Sequence, residues 1–309
     1  MFIADSHCDT LWELSKGHNY ETLMVTRQKM IDGGMGMHTF ALFTGSKGTQ
    51  GTAYKDGIDM LACREKLGIP IYNAKLPNKI PEGPFGVISI EGGEALEGKL
   101  SRLHEFYEMA GIRMIALTWN FENEIGWPAK LGPKPGLKPF GLELLKEMDK
   151  LGIYADVSHL NEAGFWDVCE HMQLPPIASH SNNRELCDVP RNLRNEQIKA
   201  IIERKGYIGI NFYTSFLTQT GSSTIEDVLR HIDSIYEMGG ENVLGFGSDF
   251  DGIESWPEGL YDSSCFPRLI DALLKHGYTD AFVEKIAGKN LWRLLKKADA
   301  KRVYADEAQ

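Results

Sequence analysis

The sequence predicts an α/β chain folded as a (β/α)8 TIM barrel, with a metal site at the C-terminal rim of its strands. Three observations predict it. Eight short apolar stretches are spread along the 309 residues, and amphipathic helical patterns lie between them. Six metal-favouring side chains, from residue 7 to residue 249, sit where those stretches end. A closed barrel of parallel strands brings such ends to one rim, which is where these barrels carry out chemistry.

In order, the expected strands are FIADSH (2–7), MHTFALFT (37–44), FGVISIE (85–91), RMIALTW (113–119), GIYADVS (152–158), PPIASH (175–180), YIGINFY (207–213) and NVLGFGS (242–248). Most are continuous apolar runs rather than clean alternations, as expected of parallel strands covered outside and packed within. Helical periodicity is plain in DGIDMLACREKLG (56–68), GLELLKEMDKLG (141–152) and IEDVLRHIDSIYEMGG (225–240). Strand alternating with helix is the barrel's signature. A doubly wound sheet is the competitor, but it normally carries a glycine-rich turn after its first strand, where this chain has SHCDTLWEL. LGPKPGLKPFG (131–141) reads as a long loop after the fourth strand rather than a linker, because a helix and strand follow at once. With no internal repeat, one domain over 1–309 is expected.

Composition narrows the function classes. At 42% hydrophobic and 25% charged residues the chain is an ordinary globular protein. Its net charge of −10 argues against nucleic acid as a partner. The basic cluster Arg293 to Lys297 falls on an amphipathic helix and reads as its solvated face. No run reaches membrane-span length, and the start lacks a basic segment followed by an apolar core. The five cysteines are odd in number, widely spaced and without a CxxC pair, so reduced thiols in a cytoplasm are expected.

The candidate site residues are His7 and Asp9 (ADSHCDT), Glu91 (GVISIEGGE), His159 (ADVSHL), His180 (PPIASHS) and Asp249 (GFGSDFDG). His7 and Asp9, two apart at a strand end, share one face and leave Cys8 on the other. Such a pair suits a metal, or equally a capped strand–helix turn. A carboxylate ending a buried strand, as Glu91 does, needs a cation or a salt-bridge partner. The glycines after it allow a sharp turn. One histidine at a strand end is usually structural; two on consecutive strands, facing the rim that also holds His7, point to ligation. Glu91 has two oxygens and could bridge two cations, and Asp249 remains as a spare carboxylate for proton transfer. Asp251 lies farther from its strand, and histidines 18, 38, 104, 171, 231 and 276 read as structural.

These motifs resemble the membrane (renal-type) dipeptidases, a zinc-peptidase branch of the amidohydrolase-like metal barrels. The resemblance runs nearly end to end, through SHCDT, EGGEAL, LTWN, GLKPFG…GIYADVSH, SHSN…RN and GFGSDFDG to EKIAGKNLWRLL. It implies two Zn2+ per chain, other divalent cations being possible. His7, Asp9 and Glu91 would hold one; Glu91, His159 and His180 would hold the other. Asp249 would be the catalytic acid and base, and Arg191 would hold the carboxylate of a dipeptide substrate. A guanidinium suits that task through its two-pronged hydrogen bonding.

Two departures stand out. Renal members carry a histidine after LT that contacts the scissile carbonyl, whereas this chain has Trp119, with Asn120 as the neighbouring polar group. The secretory signal, lipid-anchor tail and paired cysteines of the animal enzymes are also missing, which fits a soluble relative, possible as a homodimer. The expected function is therefore a binuclear zinc dipeptidase acting on small dipeptides. The rival readings are hydrolysis of another small amide (an N-acyl amino acid or a lactam) and a non-catalytic metal-binding barrel.

Overall fold

The computed structural model of the protein describes residues 1–45 and 51–301. Eight parallel strands pair in chain order and close into a barrel: β1 Ile3–Cys8, β2 Met35–Phe43, β3 Phe85–Glu91, β4 Met114–Ala116, β5 Tyr154–Asp156, β6 Ile177–Ala178, β7 Tyr207–Ile210 and β8 Leu244–Phe246. Closure is made by Asp5 of β1 pairing with Phe246 of β8. At least one helix follows every strand, including Leu100–Ala110 after β3, Pro139–Leu151 after β4, Glu162–His171 after β5 and Asn195–Glu203 after β6. The fold is the (β/α)8 barrel that the alternation predicts.

Several strands are shorter than their apolar runs, and β6 shows why. Pro175 and Pro176 have no N–H to donate to a ladder on the entry side. On the exit side, Ser179 N donates to Asp156 Oδ1 (3.0 Å) and His180 N to Ser158 Oγ (3.2 Å). Side chains thus take over the backbone donors at the rim. The 131–141 loop ends earlier than expected: Lys138 is the N-cap and Pro139 opens the helix, a position its fixed φ suits. The 56–68 pattern divides into helix Ala53–Ala62 and a 3-10 turn, Cys63–Leu67, closed by left-handed Gly68. Helix Ile225–Glu237 starts at the Thr224/Asp227 capping box.

The floor of the barrel is fastened by one fully buried ion pair. Arg113 Nε lies 3.3 Å from Asp299 Oδ1, and the guanidinium also donates to the carbonyl of Tyr72 (2.8 Å). This joins the last helix, Asn290–Asp299, to the segment before β3 and leaves the opposite rim for chemistry. The five cysteines are free thiols. No helix among the described residues is long and apolar enough to cross a membrane.

Candidate active site

The rim is assembled around Asp5. Its carboxylate accepts from His7 N (2.9 Å) and, across the barrel seam, from Ser248 N (3.1 and 3.2 Å). Asp249 N then donates to His7 O (3.2 Å), and Asp9 N to Phe250 O (2.9 Å). The ends of β1 and β8 are in this way held in register, and His7, Asp9 and Asp249 converge. Asp9 is the N-cap of helix Thr10–Ser15 but makes no side-chain capping bond, so the capped-turn alternative fails. His7 Nε2 lies 3.5 Å from Asp9 Oδ2, 3.5 Å from Glu91 Oε2 and 3.7 Å from Asp249 Oδ1.

Glu91 is the last residue of β3, and Gly92 makes the turn behind it at φ 94, where a side chain would be strained. Among the described residues no lysine or arginine pairs with Glu91; its neighbours are imidazoles. Its Oε2 faces His7, while Oε1 lies 2.9 Å from His159 Nε2 and 3.4 Å from His180 Nε2. The two oxygens of one carboxylate therefore serve two different groups.

Both of those histidines are aimed by a second residue. Asp156 accepts two backbone N–H bonds and the Ser179 hydroxyl, and Ser179 Oγ lies 2.7 Å from His180 Nδ1. Because the Ser179 proton goes to Asp156, His180 Nδ1 must donate, which leaves the Nε2 lone pair directed at Glu91. His159 Nδ1 meets Asn120 Oδ1 at 3.3 Å with the same result. Such outer partners commonly fix the tautomer of ligating histidines. His159 and Asp249 also hold left-handed backbones, φ 70 and φ 66, which non-glycine residues adopt at some cost and which cluster at functional sites. The turn after Asp249 passes so close that a Cβ on Gly252 would sit 2.1 Å from Asp9 Oδ2.

The electrostatics match this crowding. Burial and the Glu91 charge push the Asp9 carboxyl up to about 7. Burial opposes the charged form of His7, but the Glu91 and Asp9 carboxylates outweigh it and hold His7 well above the usual imidazole range. Burial likewise opposes ionised Glu91, yet the His7 charge and its close contacts with the other two imidazoles keep it well below the carboxylate range. Burial, then Arg191, lowers His159 to about 4, and burial, then the His7 charge, lowers His180 well below normal. Burial raises Asp249. Without a cation the cluster has to keep protons to balance its carboxylates, and a divalent ion replaces them.

The donor set fits such ions. Among the described residues, His7 Nε2 and Asp9 Oδ1 are buried without a hydrogen-bond partner. Ligand atoms of His7, Glu91 and His180 lie within 4.8 Å of one another, as do those of His7, Asp9 and Asp249. Imidazole and carboxylate donors suit zinc and its divalent neighbours.

Arg191 is buried beside this cluster. Its Nη2 donates to His180 O (3.2 Å), its Nη1 to Ser181 Oγ (3.4 Å), and its guanidinium carbon lies 5.3 Å from the centre of the Phe216 ring. Among the described residues its Nε has no hydrogen-bond partner and no carboxylate forms an ion pair with it. Trp119 meets Phe43 edge-on (5.0 Å between ring centres) and lies 6.1 Å from His159, forming an apolar wall. Asp251 binds Thr10 and the N–H groups of Met24 and Val25, a structural task. Cys8 contacts Thr39 O and lies off the cluster. His38 and His231 are buried elsewhere, bonded to Ser263 and to Asn183 and Leu217.

Sequence reasoning missed Asn211. Its Nδ2 donates to Asp249 Oδ2 (2.9 Å), and Asn182 grips its backbone on both sides, at N (2.9 Å) and O (3.0 Å). The available signal was a polar residue just past the YIGI run of β7, at the same rim as the histidines.

Residues 1–308 match the family model described as membrane dipeptidase, peptidase family M19. The chain belongs to this family. It is 38% identical over 220 residues, 68% of its length, to an uncharacterised protein from the pqqA 5′ region of Klebsiella pneumoniae, covering 80% of that protein. It is 33% identical over 219 residues, 69% of its length, to an uncharacterised dipeptidase of Schizosaccharomyces pombe, spanning 52% of that longer chain. Among solved structures, a family M19 metallopeptidase called dipeptidase AC superposes with TM-score 0.87 at 28% identity, over 96% of this chain and 98% of that one. A Rhodobacter sphaeroides metallopeptidase, holding a phosphinate mimic of the dipeptide L-Ala-D-Ala, superposes with TM-score 0.85 at 26% identity, over 96% and 99%. This family member is accordingly a metal-dependent hydrolase of peptide bonds, a metallo-dipeptidase.

Proposed function

We propose that the protein cleaves dipeptides bearing a free C-terminal carboxylate with the help of two divalent cations, zinc in the first instance. The observation that carries this reading is Glu91, whose Oε2 faces His7 while Oε1 faces His159 and His180. His7, Asp9 and Glu91 would hold one ion; Glu91, His159 and His180 the other. Such ions, when bound, would supply Lewis acidity and would lower the pKa of a nearby water.

The remaining work falls to side chains. Asp249 takes a proton from the attacking water and delivers it to the departing amine, with Oδ2 tethered by Asn211 so that Oδ1 is presented to the cluster. Arg191 receives the substrate carboxylate; a buried guanidinium without an acidic partner is suited to an incoming anion. This limits substrates to short peptides. Trp119 keeps bulk water from one side of the scissile bond, and Asn120 steadies His159 beside it. Trp119, where renal members have histidine, also supports a second reading, hydrolysis of another small amide.

Elemental analysis of purified protein together with a panel of dipeptides and the corresponding N-acetyl amino acids tests the proposal. Two metals per chain and turnover of dipeptides alone are expected. Preference for the N-acetyl compounds would overturn the substrate, and a single metal would overturn the binuclear site.

A further inference from the structure

Next to the histidine–carboxylate cluster lies a cavity of about 460 Å³ that is lined by His159 of the cluster and by the neighbouring Arg191. Its other walls come from the loop after β4, from helix Glu162–His171 and from the Pro190–Arg194 segment after β6. A substrate whose carboxylate rests on Arg191 has its last Cα only a bond away from that contact. The side chain of the C-terminal residue thus starts at the cavity.

The lining is unusual for this chain. The protein carries a net charge of −10, yet the cavity wall holds Lys134, Arg184, Arg191 and Arg194 against one carboxylate, Glu162. Two of these cations already have partners. Arg194 Nε lies 2.9 Å from Glu162 Oε2, and Arg184 Nε lies 2.7 Å from Asp188 Oδ1, outside the lining. Both pairs sit at exposed positions, where an ion pair contributes little and is readily exchanged for a better anion. Lys134 forms no ion pair among the described residues, and its backbone is anchored to the cavity rim, since Asn161 Nδ2 donates to Lys134 O at 3.1 Å. Trp166, 41% exposed at the wall, offers an apolar face for methylene groups.

We infer that this cavity receives the side chain of the substrate's C-terminal residue and selects an acidic one, aspartate or glutamate. The inference rests on the dipeptidase reading above and adds the substrate class. A second carboxylate entering here meets Lys134 and the two exchangeable arginines. A cationic side chain meets like charge, which disfavours it, and a neutral one gains no charged partner.

The test uses isosteric pairs on the metal-loaded protein: Ala-Glu against Ala-Gln and Ala-Asp against Ala-Asn, with the C-terminal residue in both L and D forms. For the better-accepted enantiomer, kcat/KM should favour the acid by on the order of tenfold, the size of one charge-assisted hydrogen bond. Lys134→Glu should reduce that ratio by a similar factor. Equal turnover of acid and amide side chains, or a ratio unmoved by Lys134→Glu, would overturn the inference while leaving the dipeptidase reading in place. Failure to cleave any of these dipeptides, with N-acetyl amino acids cleaved instead, would overturn the dipeptidase reading and this inference with it.

Discussion

Replacing Arg191 by methionine separates binding from folding, because the two effects have opposite signs. Arg191 is only 9% exposed and, among the described residues, has no carboxylate partner. A buried cation of this kind costs the free protein stability. Its own hydrogen bonds do little to offset that cost. Ser181 Oγ sits at 3.4 Å, and His180 O, at 3.2 Å, is also approached by Asn211 Nδ2 at 3.5 Å. Arg191→Met should therefore leave the melting temperature unchanged or raise it. With substrate the balance reverses. Losing one partner of a buried, charge-assisted pair costs about 2–5 kcal/mol, or about 30- to 5,000-fold in kcat/KM. Most of that should appear in KM, provided the carboxylate is held alike in ground and transition states. The assay is steady-state hydrolysis of a dipeptide and of its C-terminal amide, with a thermal melt of each protein. The amide should be a poor substrate for the wild type and nearly indifferent to the mutation. Equal wild-type activity on acid and amide would refute the carboxylate role, and a melting temperature lowered by several degrees would make Arg191 a structural residue.

Three further outcomes are expected. Asp249→Asn should keep both metals by elemental analysis while turnover falls by about 10²–10⁴-fold, the usual weight of a general acid–base group; loss of metal would make Asp249 a ligand. Glu91→Gln should lose both metals together, and retention of one at full occupancy would place the bridge elsewhere. Burial lowers His38 to about 3 and His231 to about 4, so each stays neutral in the folded protein. Below the unfolded value of about 6.5 the unfolded chain gains protons that the folded one does not, so stability falls as pH drops from about 6.5 toward 4, by about 2 kcal/mol per histidine at pH 5. The raised carboxyls of Asp5, Asp9 and Glu94 act in the opposite direction over this range, so the readout is the comparison of two proteins: in denaturant titrations in chelator at pH 7 and pH 5, His231→Gln should lose less stability, or gain more, than the wild type by about 2 kcal/mol, and identical pH dependence would refute the assignment.

The parts of this architecture that could be read from sequence are those that follow from burial alone. Apart from Ser89, Phe85–Glu91 carries no polar side chain before its last residue, so both the strand and the carboxylate that ends it were visible. The strand ends were harder to read. Past Ala178 the ladder gives way to Asp156 and Ser158 side chains, and no local periodicity records that exchange. The same holds for the helpers of the site. Ser179 matters because its hydroxyl lies between Asp156 and His180, and Asn211 because Asn182 turns it toward Asp249. Those relations join residues on different strands, and the residue types are too common to announce them. Metal-favouring residues at strand ends stand out because ionisable groups in such places need a reason; the neutral side chains that orient them do not.

The seam between β1 and β8 has a consequence for how the protein is made. Asp5 and Ser248, whose bond closes the rim, are 243 residues apart. During synthesis His7 and Asp9 emerge early, yet nothing holds them opposite Asp249 until the last strand has left the ribosome and docked. A partial chain would present a few isolated imidazoles and carboxylates, which hold a metal far less tightly than the assembled cluster. With the proposed ligands, metal uptake would thereby be postponed until the barrel closes at its last strand, and the ions, once in place, would tie β1 to β3 and to the ends of β5 and β6. Retention of metal then becomes a measure of completed folding, and fragments ending before Asp249 should leave the ribosome without it.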